Sequence, residues 1–217
     1  HAICEVIERH CLTIIEYLKL RTPVIKQESI NSQIALRLIE RFKSIGLSPV
    51  VKDFSLGLGL PVMGVIIRFG KKECNISAGV ATHREEALVR ALTEISQSLG
   101  VGGSAYKISS HQHYFENSHS ISFEEVPCVD NNNMRLEIES IRGLLQKKNM
   151  KVFYVDMTDK LLNIPSVDVY ISGAKYYDKR TGYKNSSIML VDESLSLGDL
   201  KAAKARILEG INSKDKN

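Results

Sequence analysis

Val50-Val51-Lys52-Asp53-Phe54-Ser55 is followed, after a short loop, by Leu60-Pro61-Val62. The same order returns later in the chain as Val152-Phe153-Tyr154-Val155-Asp156-Met157-Thr158, a short loop, and Ile164-Pro165-Ser166-Val167. Each copy is a run of β-formers closed by Asp and, two residues on, Ser or Thr. Each then resumes with an apolar residue and Pro. Short Asp and Ser/Thr side chains at a strand end hydrogen-bond local backbone N–H groups and turn the chain. Pro suits the first residue of the next strand, where its missing donor costs no ladder bond. A helical pattern precedes each copy, over 32–46 and 135–148, so the repeated unit is helix–strand–turn–strand. Two such units predict a mixed α+β fold with helices packed on β-sheets. The repeat is a structural device and carries no catalysis by itself.

Working outward, the first residues are an amphipathic helix. Ile3, Ile7, Cys11, Ile14 and Leu18 recur on one face and Glu5, Glu8, Arg9, Glu16 and Lys19 on the other, until Pro23. A second helix opens with Asn31 or Ser32 as cap and stops at Gly46. Strands are expected over Pro49 to Phe54, Pro61 to Phe69 and Cys74 to Val80, the last two as a hairpin around Lys71-Lys72. A third helix runs from His83 or Arg84 to about Leu99, with Ala87, Leu88, Ala91, Leu92 and Ile95 turned inward. Residues 101 to 132 are polar and irregular, with Gly102-Gly103, His111, His113, His119 and Asn131 to Asn133. A helix over Arg135 to Lys148, strands over Lys151 to Asp156 and Pro165 to Ser172, and a last helix over Leu197 to Ile211 complete the reading. The tail 212–217 is expected to be disordered.

Composition excludes several classes. Of 217 residues, 43% are hydrophobic and 25% charged, which suits a globular chain. The longest apolar runs are broken by Pro and Gly and are too short to span a bilayer, and no secretory signal opens the sequence. Cys4, Cys11, Cys74 and Cys128 form no CxxC pair, so free and mostly buried thiols in the cytoplasm are expected. The net charge of +4 is spread along the chain, there is no Trp, and aromatics make up 6%. A nucleic-acid partner would ask for a focused basic stripe with stacking rings, so none is expected.

Three groups of residues could carry chemistry. Glu5, Glu8 and Arg9 share one helix face. The carboxylates could hold Mg²⁺ and the guanidinium could fork onto phosphate, but on spacing alone an ordinary surface ion pair, which is the commoner arrangement, is the preferred reading. Ser77-Ala78-Gly79-Val80-Ala81-Thr82-His83-Arg84 leads from a strand into a helix start, where unpaired N–H groups can receive an anion. An ordinary capped helix explains it too. One turn apart farther along that helix, Glu94 and Gln97 could touch a ligand or cap a neighbour. His111, His113 and His119 have no carboxylate or cysteine close in sequence to complete a metal site.

Together these pieces resemble the YcaO family. Ala2 to His10 (AICEVIERH) is similar to its Glu-x-x-Glu-Arg helix, and Ser77 to Ser98 (SAGVATHREEALVRALTEISQS) to its glycine turn and Ala-Leu-Thr-Glu-x-x-Gln-Ser helix. Val152 to Ala174 is similar to its strand–Asp-x-Thr–Ile-Pro–strand signature. The resemblance implies ATP-dependent phosphorylation of a peptide backbone amide, which activates it for a nucleophile and yields an azoline, thioamide or amidine. It implies ATP and Mg²⁺ as cofactors, with Glu5 and Glu8 on the metal and Arg9, Arg84, Glu94 and Gln97 around the nucleotide. Implied partners are a peptide or protein substrate and a protein that delivers substrate or sulfur; homo-oligomerisation stays open. Residues 1–211 read as the C-terminal portion of such a domain. The family's Ser-x-x-x-Glu-x-x-Glu helix is not found in the chain, Leu99 stands where Arg often follows Gln-Ser, and the proline-rich end of azoline-forming members is absent. These departures make the chain alone incomplete for catalysis. They keep two alternatives, a non-catalytic peptide- or partner-binding module and an accessory factor in ribosomal protein methylthiolation.

Overall fold

A computed structural model describes residues 1–100, 106–129, 131, 133–159 and 161–175. The helix expected over 197–211 and the tail 212–217 lie outside the described residues. Four helices, α1 (Ala2–Leu18), α2 (Gln33–Ser44), α3 (Arg84–Gly100) and α4 (Met134–Gln146), pack on two sheets. The larger sheet combines β1 (Val24–Ile25), β2 (Val50–Asp53), β3 (Val62–Phe69), β4 (Glu73–Val80), β5 (Tyr106–Lys107) and β6 (Ser120–Ile121), in the order β5-β4-β3-β2-β1-β6. The smaller pairs β7 (Val152–Asp156) with β8 (Val167–Ile171). The fold is therefore α+β: the strands pair antiparallel, except β1 with β6, and the helices cover the sheets.

The pleat of β3 decides which helix goes where. Met63, Val65 and Ile67 face α2 and α3, meeting Ala35, Ile39, Phe42, Leu88 and Leu92. Val62 and Ile66 point the other way, into a cluster with Cys4, Ile7, Cys11 and Ile15 of α1 and Ile141 and Leu145 of α4. Both faces of a central strand are thus apolar, which is why β3 reads as a continuous hydrophobic run and not as an alternation. Ile171 of β8 belongs to the second cluster, so α1 lies between the large sheet and the small one.

The two repeated units share their hydrogen bonds as well as their order. Asp53 Oδ1 accepts from Ser55 N at 2.8 Å and Asp156 Oδ1 accepts from Thr158 N at 2.9 Å. Ser55 Oγ then accepts from Val62 N at 3.1 Å and Thr158 Oγ1 from Ser166 N at 3.4 Å. Phe54 N donates to Val62 O and Met157 N to Ser166 O, closing both loops at the same rung. The second loop merely holds one residue more.

The segment read as an irregular connection crosses the large sheet from edge to edge. It pairs β5 with β4 on one side and β6 with β1 on the other, and two 3₁₀ turns, Ile108–Ser110 and Gln112–Tyr114, lie in the span between. Lys52 tethers it. This lysine is wholly buried, and its ammonium donates to Tyr114 O at 3.0 Å and Glu116 O at 2.7 Å. Burial holds its pKa down to about 8, with Glu116 partly opposing the shift. Ser32 caps α2 by accepting from Ala35 N, and Gly46 ends it at a φ of +79°. No helix among the described residues is long and apolar enough to cross a membrane.

α3 sits against β4 at Gly79. A Cβ there would stand 2.4 Å from Ala87 O and 2.5 Å from Ala91 N, both backbone atoms of the helix. Gly79→Ala is therefore expected to cost about 1 to 3 kcal/mol of overpacking. Gly143→Ala, within α4 and with open space around its Cβ, should gain about 1 kcal/mol. Thermal melts followed by circular dichroism check both signs; an unchanged midpoint for Gly79→Ala would contradict the close packing.

Candidate functional site

α1 and α3 lie on opposite faces of the large sheet, yet their charged side chains meet beside β4. Past Cys74, the outer edge of β4 has no strand partner among the described residues. Gly79 lets α3 settle low on that strand, and Ser77 Oγ donates to Ala91 O at 2.7 Å to hold it there. Arg90, one turn on from Ala87, then reaches α1. Its Nη2 lies 3.8 Å from Glu5 Oε1 and 2.9 Å from His1 Nδ1. Glu5 also faces Arg9, with 3.6 Å between Nη2 and Oε2. Arg90 is 30% exposed against 69% for Arg9, so Arg90 is the better sheltered guanidinium and Arg9 is the freer.

Glu8 is the electrostatic centre of the group. Burial, then the neighbouring charges of Glu5 and Glu94, push its pKa up to about 7, while Arg90 and Arg9 pull the other way. A carboxyl surrounded by carboxylates in a half-buried position keeps its proton well above its ordinary range. The structure thus brings Glu5, Glu8, Arg9 and Glu94 together. Gln97 is exposed one turn beyond Glu94 on α3.

Arg84 goes elsewhere. Its Nη1 donates to Phe123 O at 3.2 Å and, at short range, to Glu124 O, so it ties the α3 start to the 123–125 turn. Arg90, the residue that sequence reasoning passed over, was visible as the position four before Glu94 on the same helix face. A carboxylate also stands beside the loop histidines. Glu16 of α1 lies 3.6 Å from His111 Nε2 and 3.4 Å from His113 Nε2. Burial would raise its pKa, but hydrogen bonds from His113 and Lys19 outweigh it and hold Glu16 at about 2. No group of three or more His, Cys, Asp or Glu among the described residues is arranged to hold a metal ion in this structure.

Comparisons with known proteins agree on the fold. A family model described as "YcaO cyclodehydratase, ATP-ad Mg2+-binding" matches residues 1–175. The heterocyclase TruD superposes with a TM-score of 0.71 at 16% identity, covering 81% of this chain and 27% of its own. A heterocyclase in complex with substrate and cofactor gives 0.70 at 16% identity, with 80% and 26% covered. The YcaO protein of Methanopyrus kandleri, bound with AMPPCP and Mg²⁺, gives 0.66 at 22% identity, with 81% and 51% covered. The chain thus spans between about a quarter and a half of the length of these proteins. No curated protein matches the sequence.

The Glu8 environment has a measurable consequence. From pH 4.5 to about 7 the folded chain retains a proton on Glu8 that the unfolded chain has released. The folded state binds more protons there, so Glu8 makes stability fall as pH rises through that window. Glu8→Gln should remove this slope and stabilise the protein at pH 8. The gain is on the order of 2 kcal/mol, allowing about 1.4 kcal/mol per pKa unit and a discount for partial exposure. Urea unfolding of both proteins at pH 5 and 8 measures it; parallel pH dependences would remove the proposed environment.

Proposed function

The chain belongs to the YcaO family, and from that premise we propose that it is part of an enzyme that uses MgATP to activate a peptide backbone amide for a nucleophile. The observation that carries this reading is the α1–α3 cluster, in which three carboxylates and two guanidiniums share one small region. The carboxylates of the cluster are not arranged as a ready-made metal site in this structure, but their chemistry suits the cofactor. Glu5, Glu8 and Glu94 offer the hard oxygen ligands that Mg²⁺ takes, and a divalent cation would relieve the repulsion that keeps Glu8 protonated. Arg9 and Arg90 offer planar donor forks for phosphate oxygens. Gln97 and Arg84 are the next candidates for nucleotide contact, Arg84 through the strand-to-helix turn at the other end of α3.

ATP supplies, when bound, the phosphoryl group that turns a poorly leaving amide oxygen into a good leaving group. The chain's own share is to bind and orient. Glu5 lies between Arg90 and Arg9, one carboxylate oxygen toward each guanidinium, and α3 fixes Arg90 through Gly79 and Ser77. Preorganised charge of this kind lowers the barrier without reorganising during the reaction. The substrate is a peptide or protein, met together with a partner protein that delivers it. Thioamide, azoline and amidine products are all compatible with the cluster.

Calorimetric titration of MgATP into the complete natural protein tests the site. Glu8→Ala and Arg90→Ala are each expected to weaken binding at least tenfold, a loss of about 1.4 kcal/mol or more. MgATP turnover with a candidate peptide should fall in parallel. Binding unchanged in both variants would place the nucleotide elsewhere. Peptide binding retained with no MgATP binding to the unaltered protein would favour the non-catalytic recognition module.

A further inference from the structure

The turn between β4 and α3 carries a second set of reactive side chains, apart from the carboxylate cluster. Cys128 Sγ lies 3.8 Å from His83 Nδ1. The other ring nitrogen, Nε2, lies 3.9 Å from Glu137 Oε1. The same carboxylate oxygen accepts from the Thr82 hydroxyl at 3.2 Å. Thiol, imidazole and carboxylate therefore stand in the order that a nucleophile, its base and the base's orienting group require.

Separate elements hold the three in place. Val129 N donates to Thr82 O at 2.8 Å, which pins the residue after Cys128 to the residue before His83. Glu137 sits in the first turn of α4, and that helix start is fixed by Asn133, whose side chain accepts from Arg135 N and Leu136 N. The thiol–imidazole separation is a sulfur hydrogen bond, the imidazole–carboxylate one is longer, and such contacts tighten when a substrate binds.

Cys128 also differs from the other thiols. Cys4, Cys11 and Cys74 are buried, and burial pushes each of their pKa values up. Cys128 is the partly exposed one of the four. With His83 it borders a cleft of about 650 Å³. Ile34, Val89 and Phe123 give the cleft apolar walls, while its rim carries Glu85, Glu86 and Glu124 against the single guanidinium of Arg84, which is bonded to Phe123 O and Glu124 O. That lining suits an apolar, uncharged group.

We propose that Cys128, with His83 as its proton acceptor, is a nucleophilic site that accepts an acyl group from an uncharged ester or thioester. The Sγ–carbon bond forms as the thiol proton passes to His83 Nδ1. The bond to the leaving oxygen or sulfur then breaks, and the leaving atom carries that proton away. The acyl group rests on Cys128 as a thioester. Glu137 and Thr82 are positioning residues that act through the imidazole.

Mixing the complete protein with p-nitrophenyl acetate tests this. One equivalent of p-nitrophenol should be released in a burst, and mass spectrometry should find one acetyl group on the peptide holding Cys128. Cys128→Ala should abolish the burst and His83→Asn should slow it at least tenfold. Glu137→Gln should slow it severalfold, with Glu137→Asp restoring part of the rate, a rescue that general damage would not give. A burst of equal rate in His83→Asn, or acetyl on a different cysteine, overturns the proposal. Should the variants not fold, the unaltered protein still decides. Cys128 should react with iodoacetamide faster in the native chain than thiols of the urea-unfolded chain, and a slower native reaction overturns it.

Discussion

α1 is held between two sheets, and most of the molecule depends on that placement. Cys4, Ile7, Cys11 and Ile15 bury one flank against Val62, Ile66, Ala78 and Val80 of the large sheet and Ile171 of the small one. His10, also buried, accepts from Lys175 N at 2.8 Å and so ties the helix to the chain beyond β8. A helix enclosed this way has little freedom to slide or rotate, since a packed interior accepts few alternative registers. Whatever α1 carries on its remaining face is presented in a fixed position.

That remaining face carries Glu5, Glu8 and Arg9, and the fixed position puts them beside α3. The two helices approach because Gly79 removes the side chain that would keep α3 away from β4. Packing thus sets the electrostatics. Glu8 is forced into a half-buried place among Glu5 and Glu94, a costly arrangement in the protein alone. Costs of this kind concentrate where a charged ligand is to be received. Glu5 stands between the two guanidiniums, while Glu8 faces Glu5 and Glu94 more strongly than it faces Arg90 and Arg9.

Local signals made much of this legible. The period of α1, the Ser32 cap, the Gly46 stop and the duplicated Asp-x-Ser/Thr turns each depend on residues within a few positions, and each element formed near its expected bounds. Pairings between distant residues were not legible. Nothing near Arg90 announces Glu5, nothing near Lys52 announces the carbonyls of Tyr114 and Glu116, and nothing near His111 announces Glu16. The two-residue strands β1, β5 and β6 were missed for the same reason: each exists because a longer neighbour offers it an edge, and such short runs have no period of their own. Cys128, His83 and Glu137 come from a loop, a turn and a helix, and only the fold brings them into line.

The proposed site is an α1–α3 cluster strained by its own charges, which Mg²⁺ and nucleotide would relieve. Carbon-13 NMR of labelled glutamate side chains reads the titration of Glu8 directly. A midpoint near 7 is expected in the protein alone. Saturating Mg²⁺ and AMPPCP should drive it down by more than about one unit, because a bound cation favours the ionised carboxylate. A midpoint at the ordinary value of 4.5, or one near 7 that Mg²⁺ and AMPPCP leave unmoved, would contradict it.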